Sequence, residues 1–425
     1  MMSEKWDESG ELKIATRLVE RPRDETWWHD IDFYTVPHFK QPAILATKLA
    51  VLHKSTLYCL DSQFDYAKDF EVDFNDAIGL NSAPIWYGPE GMAISVLRKD
   101  GRYQAIIANL QSGEVMFRTL MRGNKYDQHS LFEDRKPLSP VVCNGHLIFI
   151  DPHGHYYNHG TKGTQVSGRL YPKGEDIRIR RQPCLDSFAQ IVVQTSDPAT
   201  QTSRLEWRNP STMQCLRASD RYRDVWGFTI GYAGSAPQLL TGGNIMCGFG
   251  EQLVCFNPKG KVIWQFRYPE LDARDPDGGI KVYRHNDTEE EKRELVYASS
   301  SEVTINSNIL EHGSYLYFVL SEGTRHVNYV VKMDKDSGDV IWTSRIDGYS
   351  GSFAISDLSE FGLLLQDDCY FWLVSGDGSQ HDELILDLDG TSCSDAVRIA
   401  ENEYVVNSDL GVHVFNLDSS FMNRS

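Results

Sequence analysis

The chain has 425 residues, of which 41% are hydrophobic and 11% aromatic; this composition builds a buried core and is not that of a disordered chain. No stretch approaches 18 consecutive apolar residues, so no helix spans a bilayer. Sixty acidic residues against 42 basic ones give a net charge of −18, which argues against nucleic acid as a partner, since phosphates would be repelled.

The chain opens with "MMSEKWDESGELK" (1–13), polar and charged, with neither the apolar core of a secretion signal nor a lipid-attachment cysteine. The expectation is a cytoplasmic protein with no membrane contact. "LKIATRLVE" (12–20) reads as a strand that belongs to no unit of its own. From there, tight polar turns recur near residues 65, 112, 161, 211, 259, 337, 378 and 418. "MDKDSGDVIWTSR" (333–345), "CFNPKGKVIWQFR" (255–267) and "IANLQSGEVMFRT" (107–119) are three versions of one phrase: strand, turn, strand. The "SG" and "KG" pairs supply the positive φ that a hairpin turn prefers. Around the clearest copy the pattern predicts four antiparallel strands, 303–309, 314–320, 327–333 and 340–346.

Turns spaced about 40–50 residues apart, each closing a four-strand unit, are the mark of a β-propeller blade. One interval is longer, and it holds the polar stretch 269–302. Removing that stretch restores the period, so it is an insertion between blades. The predicted fold is all-β: one domain over 1–425, an eight-bladed propeller of four-stranded antiparallel blades. The last unit runs out of chain after its turn, and strand 12–20 would supply its missing strand and close the ring. Seven blades is the alternative, with the unit at 182–219 the poorest in pattern. The eight cysteines form no C-x-x-C pair and mostly sit in apolar runs such as "STLYCL". They read as buried thiols rather than disulfides or metal ligands.

The phrases "VCFNPKGKVIWQF" and "VKMDKDSGDVIWTS" resemble the repeat of quinoprotein dehydrogenases and of the outer-membrane assembly propeller lipoprotein. Trp264 and Trp342 stand at the Trp position of that repeat, with Phe117 in the same place in the second unit. The resemblance implies that these rings pack against the neighbouring blade. It implies a fold rather than a function, because propellers host many activities.

In such a blade the turns between third and fourth strands lie on one face. The blade-to-blade connections lie on the other, and here they are elaborate: 21–41, 122–138, 220–234 and 269–302. They carry Trp27, Trp28, Tyr126, Tyr222 and Trp226 among many charges, a mixture suited to partner binding. Equally, those aromatics fold back to seal the blade ends. The insertion adds acidic groups on either side of Ala273, at Asp272, Asp275 and Asp277, and again at Glu289, Glu290 and Glu291. The second run has the spacing of a short helix capped by Asp287 or Thr288.

Catalytic signatures are thin. "DPHGHYYNHG" (151–160) brings His153, His155 and His159 close in sequence, but His155 and His159 on one strand would stand about 13 Å apart at roughly 3.3 Å per residue, too far to share a zinc ion. His153 and His155 could share an ion only with further ligands from other blades; against that alternative, these histidines read as surface residues of a hairpin. Neither a G-x-S-x-G elbow nor a dinucleotide or phosphate loop occurs; "GGNIMCGFGE" (242–251) reads instead as an inner strand. The adjacent cysteine pair and C-x-x-C-H motif of quinoprotein enzymes are missing. No metal or cofactor is expected. The sequence therefore points to a monomeric, non-catalytic binding propeller. Its sharpest form is an immunity protein that neutralises a basic bacterial toxin by direct binding. A hydrolase or lyase with a site in the channel mouth, and a general assembly scaffold, are the alternatives.

Overall fold

The computed structural model describes residues 43–45, 48–53, 56–61, 67–73, 77–82, 84–88, 91–98, 102–109, 111–121, 137–160, 165–179, 181–223, 236–250, 252–267, 303–305, 307–322, 327–346, 353–357, 362–367, 370–374, 383–387, 396–400, 403–407 and 412–416. They form eight antiparallel sheets in chain order. The chain divides into two compact units, Met1–Arg180 with Leu388–Ser425, and Arg181–Asp387.

In the first unit, the first sheet runs Ala43–Leu45, Lys48–His53, Thr56–Asp61 and Ala67–Asp73. The second is ordered Ala77–Asn81, Gly91–Arg98, Tyr103–Asn109 and Val115–Leu120, with Ile85–Tyr87 also paired to Gly91–Arg98. The third runs Val141–Cys143, His146–Ile150, His155–His159 and Gln165–Arg169. Val397–Arg398, Glu403–Asn407 and Val412–Asn416 make the last sheet, with three strands among the described residues. Strand 12–20, expected to complete it, lies outside the described residues.

The second unit holds the other four sheets. The fourth is built on Ile191–Asp197, Thr202–Arg208 and Cys215–Ala218, flanked by Cys184–Leu185 and Tyr222–Arg223. The fifth runs Gln238–Leu239, Ile245–Phe249, Gln252–Phe256 and Val262–Arg267. Ile245–Phe249, expected to be an inner strand, is thus the second of its sheet. The sixth sheet has Val303–Ile305 and Leu310–His312 on its first strand position, then Tyr315–Glu322, Val327–Asp334 and Val340–Ile346. The seventh runs Phe353–Asp357, Leu363–Asp367, Tyr370–Val374 and Glu383–Asp387.

Residue type explains these positions. Middle strands are covered on both faces, so they read as continuous apolar runs: "GMAISVL" (91–97) is buried throughout. Outer strands alternate; in Val262–Arg267 the side chains of Trp264 and Phe266 are buried while Gln265 and Arg267 are exposed. Apolar clusters fill the gaps between consecutive sheets of each unit. One joins Met92 and Ile94 to Leu57 and Cys59, another joins Phe256 and Phe249 to Trp207 and Leu205, and a third joins Phe266 to Phe318 and Leu316.

One device recurs. The third-to-fourth-strand turns open with Asn109, Asn209, Asn257 or Asp334, whose side-chain oxygen accepts two backbone N–H groups of its own turn. Two residues into the fourth strand a β-bulge shifts the register, as at Ile107/Ala108, Trp207/Arg208, Cys255/Phe256 and Lys332/Met333. The residue beyond the bulge is Phe117, Arg217, Trp264 or Trp342. Trp264 lies on the turn of the sixth sheet: its Nε1–H donates to the Lys335 carbonyl at 2.9 Å. A Cβ on Gly338 would stand 2.7 Å from its ring. Phe117 stacks on Tyr157 of the third sheet at 5.3 Å. The expected ring-to-neighbour packing therefore holds for Trp264 and Phe117.

The fourth sheet shows why its unit reads poorly. Arg217 occupies the ring position, donating to the Pro258 carbonyl at 2.8 Å and to Asp186 at 3.1 Å while covering the Trp207 ring. Met213 takes the place that Gly113 and Gly338 fill elsewhere, at φ +60°.

Candidate polar site on the connection side of the third sheet

Of the residues singled out in the sequence, Trp27, Trp28, Tyr126, Trp226, Asp272, Asp275, Asp277, Glu289, Glu290 and Glu291 lie outside the described residues, as does Ala273 between the first two acidic groups of the insertion. So do the possible helix caps Asp287 and Thr288. Tyr222 is described, and it is a core residue: 8% exposed, stacked on Phe249 with ring centroids 4.4 Å apart. Burial first, then Asp220 and Cys247, push its hydroxyl up to about 12. Its ring seals the fourth sheet against the fifth and is not presented to a partner.

The described residues instead build a polar cluster where sequence reading placed only surface histidines. The turn Asp151–Gly154 joins the second and third strands of the third sheet, and the connection that leaves the fourth strand folds onto it. Leu170 N–H donates to the Gly154 carbonyl and Ile179 N–H to that of Pro152, both at 2.8 Å. Gly154 has φ +75°, and a Cβ there would stand 3.0 Å from the Tyr171 ring. Glycine is required for the chain to turn left-handed beneath that ring.

Asp151 organises the turn. Its Oδ1 accepts the backbone N–H of His153 at 2.9 Å and of His155 at 2.8 Å. Its Oδ2 accepts Nδ1–H of His155 at 3.0 Å, with the two side chains 0% and 5% exposed. His155 is thus buried, contrary to the surface position expected for it. His153 is engaged differently. A guanidinium only donates, so the 2.9 Å contact between Arg178 Nη1 and His153 Nδ1 makes that nitrogen an acceptor and the ring neutral with its hydrogen on Nε2. Arg178 Nε donates to Asp176 at 2.6 Å. Burial lowers the pKa of His153 most, and Arg178 and His155 lower it further against the opposing pull of Asp151 and Asp176. His159 lies apart, its ring 5.2 Å from Phe117 and 6.4 Å from Tyr87.

The cluster does not have the form of a metal centre. His153 and His155 spend their Nδ1 atoms on Arg178 and Asp151, and no three His, Cys, Asp or Glu side chains are placed to hold one ion among the described residues. The Asp151–His155 pair orients an imidazole as a general base would be oriented, but the ring is sealed in the turn. What the arrangement does is fasten a charged connection, Tyr171–Ile179, to its own sheet. The missed signal was Arg178: nothing in its local sequence ties it to a histidine 25 positions earlier.

No family model and no curated protein matches the sequence. Solved structures do match. BamB from Moraxella catarrhalis superposes with a TM-score of 0.56 at 11% identity, over 89% of this chain and 94% of its own. The Dos1 propeller gives 0.58 at 10% identity, over 90% and 93%. Quinohemoprotein alcohol dehydrogenase from Comamonas testosteroni gives 0.53 at 10% identity, over 89% and 75%. At these identities the likeness concerns fold alone, and that fold is an all-β propeller with four-stranded antiparallel blades.

Proposed function

We propose that this chain is a non-catalytic propeller that binds a basic protein, and that its specific role is to neutralise a basic toxin in the cytoplasm as an immunity protein. The observation that carries the reading is where the excess negative charge resides. Among the residues whose burial is described, the buried carboxylates are Asp151, Asp186 and Glu206. All three are structural. Asp151 holds its turn, Asp186 pairs with Arg217, and Glu206 pairs with Arg204 and Arg208. Few of the carboxylates whose burial is described are spent on the core, which supports a role for the net charge of −18 in attracting a cationic surface. The sealed Asp151–His155 pair supports a non-catalytic role over the enzyme alternative.

The test is capture of partners by the full chain at about 0.05 M and about 0.5 M salt, since screening shortens the reach of exposed charges to a few ångströms as salt rises toward 1 M. A stoichiometric basic protein held at low salt and released at high salt is the expected result. Its toxicity on expression, relieved by co-expression of this chain, would establish the immunity role. A neutral or acidic partner, or retention insensitive to salt, would overturn the charge argument.

A further inference from the structure

We infer that His153 and Arg178 form a proton-operated latch that releases the connection Tyr171–Ile179 from the third sheet on acidification. The latch acts whatever partner the chain binds. With the Tyr171 ring packed over Gly154, the contacts that hold this connection to the Asp151–Gly154 turn include the Leu170 and Ile179 N–H bonds at 2.8 Å and the Arg178–His153 bond at 2.9 Å. The two N–H bonds are backbone bonds without titratable atoms. The Arg178–His153 bond exists only while His153 Nδ1 carries no hydrogen, because Arg178 has nothing but donors to offer.

Protonation of His153 converts the contact from donor–acceptor to donor–donor and sets two cations against each other. Arg178 has somewhere to go. Its Nε already donates to Asp176, whose side chain is 65% exposed, so it leaves with that carboxylate as its counter-ion. The groups that bear on His153 are Asp151 and His155 of its own hairpin and Asp176 and Arg178 of the connection. The Tyr103 ring of the second sheet lies 6.4 Å away. Asp151 cannot take over as a strong acceptor for His153, since its two oxygens are already committed to two backbone amides and to His155. The neighbourhood therefore rewards a neutral ring in the closed state and a charged ring in the released one.

Linkage sets the sign. A histidine whose closed-state pKa lies below its ordinary value, 6.5, holds the latch fully above that value. It loses this contribution as pH falls through the depressed value. At about pH 5.5, roughly one unit below the ordinary value, a ring kept neutral only by closure favours release by up to about tenfold.

The experiment is amide hydrogen exchange of the full chain at about pH 7.5 and about pH 5.5, on either side of the ordinary histidine range. Each is compared with His153→Gln, which keeps an acceptor but cannot titrate. Arg178→Gln provides the second arm, since it removes the repelled charge and keeps a donor. The wild-type amides of Leu170 and Ile179 should exchange several-fold faster than those of the two variants at the lower pH and equally at the higher. Amides of the buried strand His146–Ile150 should stay protected in all three. Equal exchange at both pH values would overturn the latch. So would an acid response shared by both variants, or one in which the core strand loosens in parallel.

Discussion

Gly338 is where the joint between two sheets is most exposed to test. It has φ +74°, and an added Cβ would meet Trp264 at 2.7, 2.9 and 3.0 Å from three ring atoms. Trp264 cannot retreat freely: it is 1% exposed and its Nε1–H is tied to the Lys335 carbonyl. Gly338→Ala therefore incurs two costs, left-handed strain of about 1–2 kcal/mol and overpacking of about 1–3 kcal/mol. Gly313→Ala separates them. Gly313 has φ +60° with nothing within 4 Å of the built Cβ, so it bears the strain alone. Both substitutions gain the same small entropic return from the unfolded chain, which cancels in the comparison. Gly338→Ala should be less stable than Gly313→Ala by about 1–3 kcal/mol. For a cooperative unit of about 200 residues that is roughly 2–12 °C in Tm, read by thermal denaturation followed by circular dichroism. Equal melting of the two variants would mean that Trp264 is not wedged against the turn, and the packing argument would fail.

Other contacts set three further outcomes. Arg217→Met should cost about 3 kcal/mol, because it strips the side-chain partner from a fully buried Asp186; adding Asp186→Asn should recover part of that loss, read from denaturation midpoints of the double-mutant cycle. Glu311 is pulled two ways, burial raising its pKa and the stronger combined effect of Lys335 and the Thr241 amide lowering it. Its contribution to stability is therefore complete above the ordinary 4.5 and declines as pH falls through the depressed value. Denaturation between about pH 3 and pH 6 should show a steeper acid loss for wild type than for Glu311→Gln. Among the described thiols Cys215 is exposed, whereas Cys59, Cys143, Cys247 and Cys255 are buried, and burial pushes Cys255 up to about 12. A native-state alkylation time course read by mass spectrometry should modify Cys215 before the other described thiols, and faster as pH rises, because burial above all raises its pKa too. Early labelling of Cys255 would contradict the packing of the fifth sheet.

The sequence showed the fold through its turns because turn chemistry is local. Asn109, Asn257 and Asp334 need only their own next few residues to form their rings of hydrogen bonds, so each turn is visible in a short window. The strands around 303–346 fall within a few residues of their predicted places. The eight turns are consistent with the eight sheets of the described residues. The polar site was not visible for the opposite reason. Asp151, His153 and His155 stand in one phrase, but what makes them a fastening is Arg178, brought back by the connection that follows the fourth strand. Distance rules excluded one zinc ion shared by His155 and His159; they could not say that His155 would be buried against a carboxylate. Tyr222 shows a related limit. An aromatic next to charged neighbours reads equally as a partner contact or as a plug, and only the ring stacked on Phe249 decides for the plug.

The fourth sheet shows how a repeat can lose its signature and keep its architecture. At two of these joints the outer strand supplies a donor that reaches the carbonyl of the residue after the opening Asn or Asp of the next turn, whereas Phe117 holds the same position by stacking alone. Trp264 reaches that of Lys335 with an indole N–H, and Arg217 that of Pro258 with a guanidinium. The two residues hold the same register beyond the bulge, opposite Cys255 and Trp207. Indole fills the joint by itself; guanidinium does not. The apolar bulk is supplied instead by Trp207, whose ring lies 3.4 Å from where a Cβ on Gly260 would stand and is covered by the Arg217 guanidinium. Charge then has to be balanced, and the buried Asp186 does so. An exchange of tryptophan for arginine at one position is therefore accompanied by an aromatic across the strand pair and a carboxylate two strands away. At these two joints the donor sits at the same point, and the residue types around it differ with the donor that is there. For that reason the spacing of the turns survives in this chain where the motif itself does not.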